Sequence, residues 1–196
     1  MIAGHFGFAA AVKSYERQTR LWALMLACVW LDVIFVPLFL AHIETIADAP
    51  GTHGGYGALI IYADYTHSLL GALVLSVVFG AIAAIWWSRR TGFVLAAVVF
   101  SHWLLDLIVH RADMPILPGN AGSLARLGLG LWRYPVAAAA VEAALVLTGA
   151  FLYWRAAKET VSSGNASLRR RANLAAFLVL IFGIAVLTLD FTGIAG

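Results

Sequence analysis

His102, Asp106 and His110 recur at intervals of four in S-H-W-L-L-D-L-I-V-H, within a stretch otherwise apolar enough to cross a bilayer. On an α-helix, positions i, i+4 and i+8 stack along one face and drift only slowly around the axis. Ionisable side chains inside a membrane segment are costly; they face a protein interior or a wet cavity and mark functional sites. Imidazole nitrogen with carboxylate oxygen is a donor set for a transition metal such as zinc. His102 and Asp106 offer two such donors from adjacent turns, and Asp32, His67 and His5 are the candidates to complete the set from other elements. More than four donors leave room for two ions, an arrangement suited to phosphoester hydrolysis.

The elements that must position these residues are membrane helices. Of 196 residues, 62% are hydrophobic and 12% charged, whereas soluble domains average about 45–50% and about 25%. The predicted fold class is all-α, a polytopic membrane helix bundle forming one domain over 1–196. Cys28 is the single cysteine and can form no intrachain disulfide. The net charge of +3 comes from basic residues scattered through loops, which is a topology signal and gives no reason to expect a nucleic-acid partner. The start, MIAGHFGFAAAVK, has no basic region before its apolar run, so it reads as part of the mature protein and not as a signal peptide.

Five segments approach the ~20 apolar residues that a bilayer core requires: roughly 21–41, 66–87, 92–109, 135–154 and 174–192. The third is the shortest. Residues 1–13 are too short to cross and fit a half-length helix tucked into the bundle or lying along its surface. Lys and Arg number ten in the loops on one side and three on the other, which places the N-terminus in the cytoplasm and the C-terminus outside. The outer loops, with APGTHGGYG and MPILPGNAGS, read as irregular, turn-dense coverings over a cavity, and 160–171 as a solvated cytoplasmic connector.

Counting residues from the span ends puts Asp32, His67, His102, Asp106, Glu142 and Asp190 all in the outer half, converging on one pocket. His5, on a helix entering from Lys13, reaches roughly 12 Å deep. The spans contain no Lys or Arg to pair with Asp32 and Glu142, so a bound cation is the simplest compensation for their burial. Asp106 and Glu142 are candidate general bases. Ser68, beside His67, is a candidate nucleophile with hydrogen bonding as its plainer role. Arg111, Arg126 and Arg133 in an outer loop are placed to hold a substrate phosphate or to meet lipid headgroups. His42 and His53 read as solvated loop residues, and His110 as an interfacial residue beside Arg111.

Four motifs in order, M-I-A-G-H-F at 1–6, L-D-V-I-F-V-P around Asp32, Y-T-H-S at 65–68 and S-H-W-L-L-D at 101–106, resemble the YdjM-like, LexA-binding inner-membrane-associated hydrolases. The resemblance covers roughly residues 1–120 and is specific mainly at T-H-S and S-H-x-x-L-D. It implies a metal-dependent hydrolase of the bacterial inner membrane, distantly similar to zinc-dependent phospholipase C, with His5, Asp32, His67, His102 and Asp106 as metal ligands. The chain departs from that family at Asp32, where D-x-D is common, and at Y-A-D-Y, where H-R-G is common.

The expected function is hydrolysis of a phosphoester in a lipid or lipid-linked substrate, using a divalent metal, with zinc favoured. The alternatives are a metal-ion or proton-coupled transporter, a haem protein using His67 and His102, and a non-catalytic membrane module. A transporter would favour a polar trail continuing to the cytoplasmic side, and the spans carry none.

Overall fold

The computed structural model describes residues 1–50, 54–160 and 166–193. Within them the chain forms helices α1 (Ile2–Tyr15), α2 (Leu21–Ala27), α3 (Trp30–Leu40), α4 (Leu69–Trp86), α5 (Arg89–Val109), α6 (Pro135–Thr160) and α7 (Ala166–Thr192). A hairpin of β1 (Thr45–Asp48) and β2 (Leu59–Tyr62) lies between α3 and α4. Local chemistry fixes several boundaries. Ser68 and Ser88 precede α4 and α5, and their Oγ atoms accept from the amides of Gly71 and Thr91 at 3.0 and 3.1 Å, satisfying donors that the first helical turn leaves open. Pro135 opens α6, where a missing N–H costs nothing.

Helices α4, α5, α6 and α7 are each long and apolar enough to cross a membrane, and α2 with α3 would make a fifth span. That agrees with the expected helical bundle. Half of the apolar window of α5 is buried, against 11% for α7, so α5 is the inner helix and α7 lies at the periphery. Outward faces are apolar, with Val77, Val78 and Ile85 on α4 and Phe177, Leu178 and Phe182 on α7 exposed. A soluble surface rarely carries so continuous an apolar band.

The structure corrects four details. The expected continuous span 21–41 is broken: α2 and α3 meet at a 48° bend, with Cys28 and Val29 in the turn between them. The expected short span 92–109 begins earlier, at Arg89, and runs 21 residues. Part of the expected connector 160–171 is helical, since α7 begins at Ala166, while 161–165 and His53 lie outside the described residues. The outer loop between α3 and α4 is also not wholly irregular. Residues of the expected irregular loop pair antiparallel from Thr45↔Tyr62 to Asp48↔Leu59, because T-I-A-D and L-I-I-Y supply β-branched and aromatic residues either side of a Gly-rich turn.

Helix α1 does tuck into the bundle, burying Ala3, Gly4, His5, Gly7, Ala9 and Ala10. Its small residues let it lie against α6 at backbone distance, and Gly80 and Gly92 do the same between α4 and α5. A Cβ at Gly7 would meet Leu145 and Val146 backbone atoms at 2.5 to 2.7 Å. Gly7→Leu is therefore expected to cost about 1–3 kcal/mol or more through overpacking. In a detergent melting experiment its transition should fall, while Val77→Leu on the exposed face should melt like the parent.

Candidate metal centre

Four elements deliver the five expected ligands to one place. α1 brings His5, α3 brings Asp32, α5 brings His102 and Asp106, and the turn capping α4 brings His67. His5, His67, His102 and Asp106 are all at most 5% exposed, and Asp32 forms the more open side with a side chain 37% exposed. Asp106 is the hub. Its Oδ1 lies 3.1 Å from His5 Nε2, and its Oδ2 lies 3.0 Å from His102 Nε2 and 3.6 Å from His67 Nε2. Asp32 Oδ1 faces His67 Nε2 at 3.5 Å and His102 Nε2 at 3.6 Å. The rings of His5 and His102 stack at 3.8 Å.

Hydrogen bonding behind the two central histidines fixes which nitrogen carries the proton. His102 Nδ1 is 2.8 Å from the Cys28 carbonyl, which can only accept, so Nδ1–H donates and the neutral ring turns an Nε2 lone pair toward the cluster. The bend between α2 and α3 is what turns that carbonyl toward α5. His67 Nδ1 is 2.9 Å from Thr66 Oγ1, and that hydroxyl lies 3.0 and 3.1 Å from the two oxygens of buried Glu44. An ionised carboxylate only accepts, so Thr66 donates its proton to Glu44 and accepts from His67 Nδ1–H. His67 Nε2 is then also a lone pair, 3.2 Å from His102 Nε2.

With both rings neutral, two imidazole lone pairs and two carboxylates facing one another repel unless a proton or a metal cation lies between them. The donor spacing suits a metal ion. Among Asp32 Oδ1, His67 Nε2, His102 Nε2 and Asp106 Oδ2, five separations fall between 3.0 and 3.6 Å; tetrahedral N/O ligands at ~2.0–2.1 Å from zinc lie ~3.3 Å apart. Two overlapping triads, His5–His102–Asp106 and Asp32–His67–His102, each gather their donor atoms within 4.8 Å. His102 has one free nitrogen and cannot serve both triads at once. Asp106, with one oxygen toward each, is the group able to join them. The same 3.2 Å separation leaves no room for a porphyrin between His67 and His102, which removes the haem alternative.

The cluster forms the polar floor of a cavity of about 260 Å3, walled by Phe35, Leu59, Ile61 and Leu189 and bordered by Asp190. Gly57, at φ +74°, lets the hairpin loop lie directly on Trp132, whose backbone oxygen a Cβ would meet at 3.0 Å. The expected shared pocket is therefore present, with two groups of expected residues placed otherwise. Glu142 is fully buried but sits behind the cavity wall: Oε1 accepts from the Gly4 amide at 2.9 Å and Oε2 from the Tyr56 hydroxyl. Both oxygens hold other elements together, so the general-base role expected for Glu142 has no geometric support. Burial, and then the Glu142 carboxylate, push the Tyr56 phenol above its usual range, keeping it a donor.

Ser68 is likewise a cap. It accepts from Gly71 and donates to the Tyr65 carbonyl at 2.9 Å, and among the described residues no base bonds to its hydroxyl to support a nucleophilic role. None of the three expected phosphate-binding arginines lines the cavity. Arg111 donates to the Gly57 carbonyl, Arg126 grips Asp64 at 2.7 and 2.9 Å, and Arg133 is exposed. The hydrogen bonds to Asp64 raise the already high pKa of Arg126 further, so that pair is a permanent tie between loops.

The structure places His110, expected as an interfacial residue, inside the site, together with Asp113, which carried no expectation. His110 is buried and lines the cavity; its Nδ1 lies 3.0 Å from Asp113 Oδ1 and its Nε2 3.9 Å from Asp106 Oδ2. The signal was its i+8 spacing from His102. Glu44 and Thr66, by contrast, carry no local mark of their role, since they meet 22 residues apart.

No protein-family model, curated protein or solved structure matches this chain. The class that fold and site define is a bundle of candidate membrane-spanning helices around a buried His/Asp group able to hold a metal ion. Because Glu142 ties α1 and the hairpin loop to α6, Tyr56→Phe should lower stability by about 1–3 kcal/mol through a buried acceptor left short of a donor. Detergent melting reads that loss, and elemental analysis of the same protein should find its metal content unchanged.

Proposed function

We propose that this chain is an integral protein of a bacterial inner membrane, N-terminus in the cytoplasm, that hydrolyses a phosphoester in a lipid or lipid-linked substrate with a divalent metal, zinc by preference. The observation that carries the reading is the convergence of two oriented Nε2 lone pairs with Asp32 and Asp106 on the floor of an apolar-walled cavity. His67, His102, Asp32 and Asp106 would hold the ion, with His5 beside Asp106 Oδ1. A cation held there would lower the pKa of water and polarise a phosphoryl oxygen.

The chain's own groups do the rest. The apolar walls at Phe35, Leu59, Ile61 and Leu189 accept the hydrocarbon part of a substrate and keep bulk water from the floor. His110, its ring oriented by Asp113, is the base within reach of that floor and replaces Glu142 in the role of taking up a proton. A second reading, metal transport, is favoured by one feature: the break between α2 and α3 lies beside the cluster, as broken helices do at transporter sites.

Metal content of detergent-purified protein is the deciding measurement. One or two zinc-like ions per chain, absent from a His102→Ala/Asp106→Ala double variant, are expected; protein that stays metal-free after loading with zinc or manganese would overturn the reading. Phospholipid hydrolysis should require the metal, and His110→Gln should slow it about 10²–10⁴-fold while retaining the ion. Zinc flux into sealed vesicles without lipid cleavage would establish the transport reading instead.

A further inference from the structure

Glu44 lies in the loop between α3 and β1, far in sequence from every expected ligand, yet it is 1% exposed. A buried carboxylate requires compensation. Among the described residues the partners found for it all come from one short segment: the amides of Tyr65 and Thr66, each 2.8 Å from Oε1, and the Thr66 hydroxyl, 3.0 Å from Oε2. That segment leads directly into His67. Its far side is secured by Trp103, whose Nε1 donates to the His67 carbonyl at 2.9 Å, and by the Ser68 cap.

We infer that Glu44 is a positioning residue which, through the Thr66 hydroxyl, sets the tautomer of His67 so that Nε2 faces the cluster as a metal-binding lone pair. The reasoning is one of proton count. The Thr66 hydroxyl has a single proton and two close neighbours, the Glu44 carboxylate and His67 Nδ1. Were the proton directed at His67, the Thr66 oxygen would face two carboxylate oxygens with nothing between them. Directed at Glu44, it leaves a lone pair that only an Nδ1–H can fill, and in the neutral ring Nε2 is then bare. His102 reaches the same state by a different device, the Cys28 carbonyl. Each central imidazole is thus oriented by an acceptor on a different element, and outer hydrogen bonds of this kind tune metal affinity as well as direction.

The inference rests on the metal reading of the cluster, but its first test does not. Protein labelled with 15N-histidine and held in detergent, without metal and at a pH high enough to keep the imidazoles neutral, reports the His67 tautomer by long-range 1H–15N correlation. The parent should show Nδ1–H. Glu44→Gln is nearly isosteric and introduces a donor facing Thr66, which turns the hydroxyl proton toward His67, so that variant should show Nε2–H. An Nε2–H tautomer in the parent, or the same tautomer in both proteins, would overturn the inference.

The second test is a zinc titration. Glu44→Gln should bind zinc about 10–100-fold more weakly, Thr66→Val should weaken binding in the same direction, and Thr66→Ser should bind like the parent because the hydroxyl is restored. The serine and valine pair keeps the test decisive should the Glu44 variant fail to fold: equal affinities in the two would defeat the relay. An Nδ1–H parent that binds no zinc would leave the relay standing and defeat the metal reading alone.

Discussion

An ionised carboxylate is expensive to bury among apolar helices, and removing a partner from such a group costs several kcal/mol. Asp106 is that carboxylate. Its two oxygens face histidines from α1, from the turn before α4 and from α5 itself, with His110 at the helix end completing the ring. The placing of α1 inside the bundle, the capped start of α4 and the buried character of α5 are the means by which those partners reach it. The small residues of α1 and the glycines between α4 and α5 serve the same end, because only close-packed backbones bring short imidazole and carboxylate side chains within 3 to 4 Å of one another.

The bend between α2 and α3 joins backbone to chemistry. A continuous helix would commit the Cys28 carbonyl to its own hydrogen-bond ladder. In the turn, that oxygen is available to His102, and the interruption of one element becomes the orientation of a ligand on another. The hairpin and its loop contribute from the opposite side. Tyr56 reaches Glu142, Gly57 lies on Trp132, and Leu59 and Ile61 form part of the cavity wall. Glu142 and Tyr56 are thereby tied to each other, and the donors left facing the floor are those able to hold a cation.

Much was legible in sequence. A chain that is 62% hydrophobic with few charges must place its long apolar runs as helices, because a helix satisfies its own backbone where no water can. The four-residue spacing of His102 and Asp106 put both on one helical face, and the absence of Lys and Arg from the spans meant that their charges had to be met by something other than an ion pair. His5, Asp32 and His67 were nominated by the same cost of burial; His5 lies 3.1 Å from Asp106 and His67 3.2 Å from His102, with Asp32 3.5 and 3.6 Å from the His67 and His102 rings.

What the chain alone left open turns on contacts between distant residues. Glu142 and Asp106 read alike as carboxylates in apolar runs. Only packing spends both oxygens of Glu142 on Gly4 and Tyr56 and leaves those of Asp106 to the histidines. Arg126 read as a phosphate ligand until the fold set it against Asp64, and Glu44 had no reading at all until Thr66 arrived beside it. Local sequence determined which residues are helical, which are buried and which cannot be buried without a partner, since propensity and transfer cost act over a few residues. The tertiary structure decided who the partners are, because a hydrogen bond forms at 3 Å in space and its energy is indifferent to the length of chain between its ends.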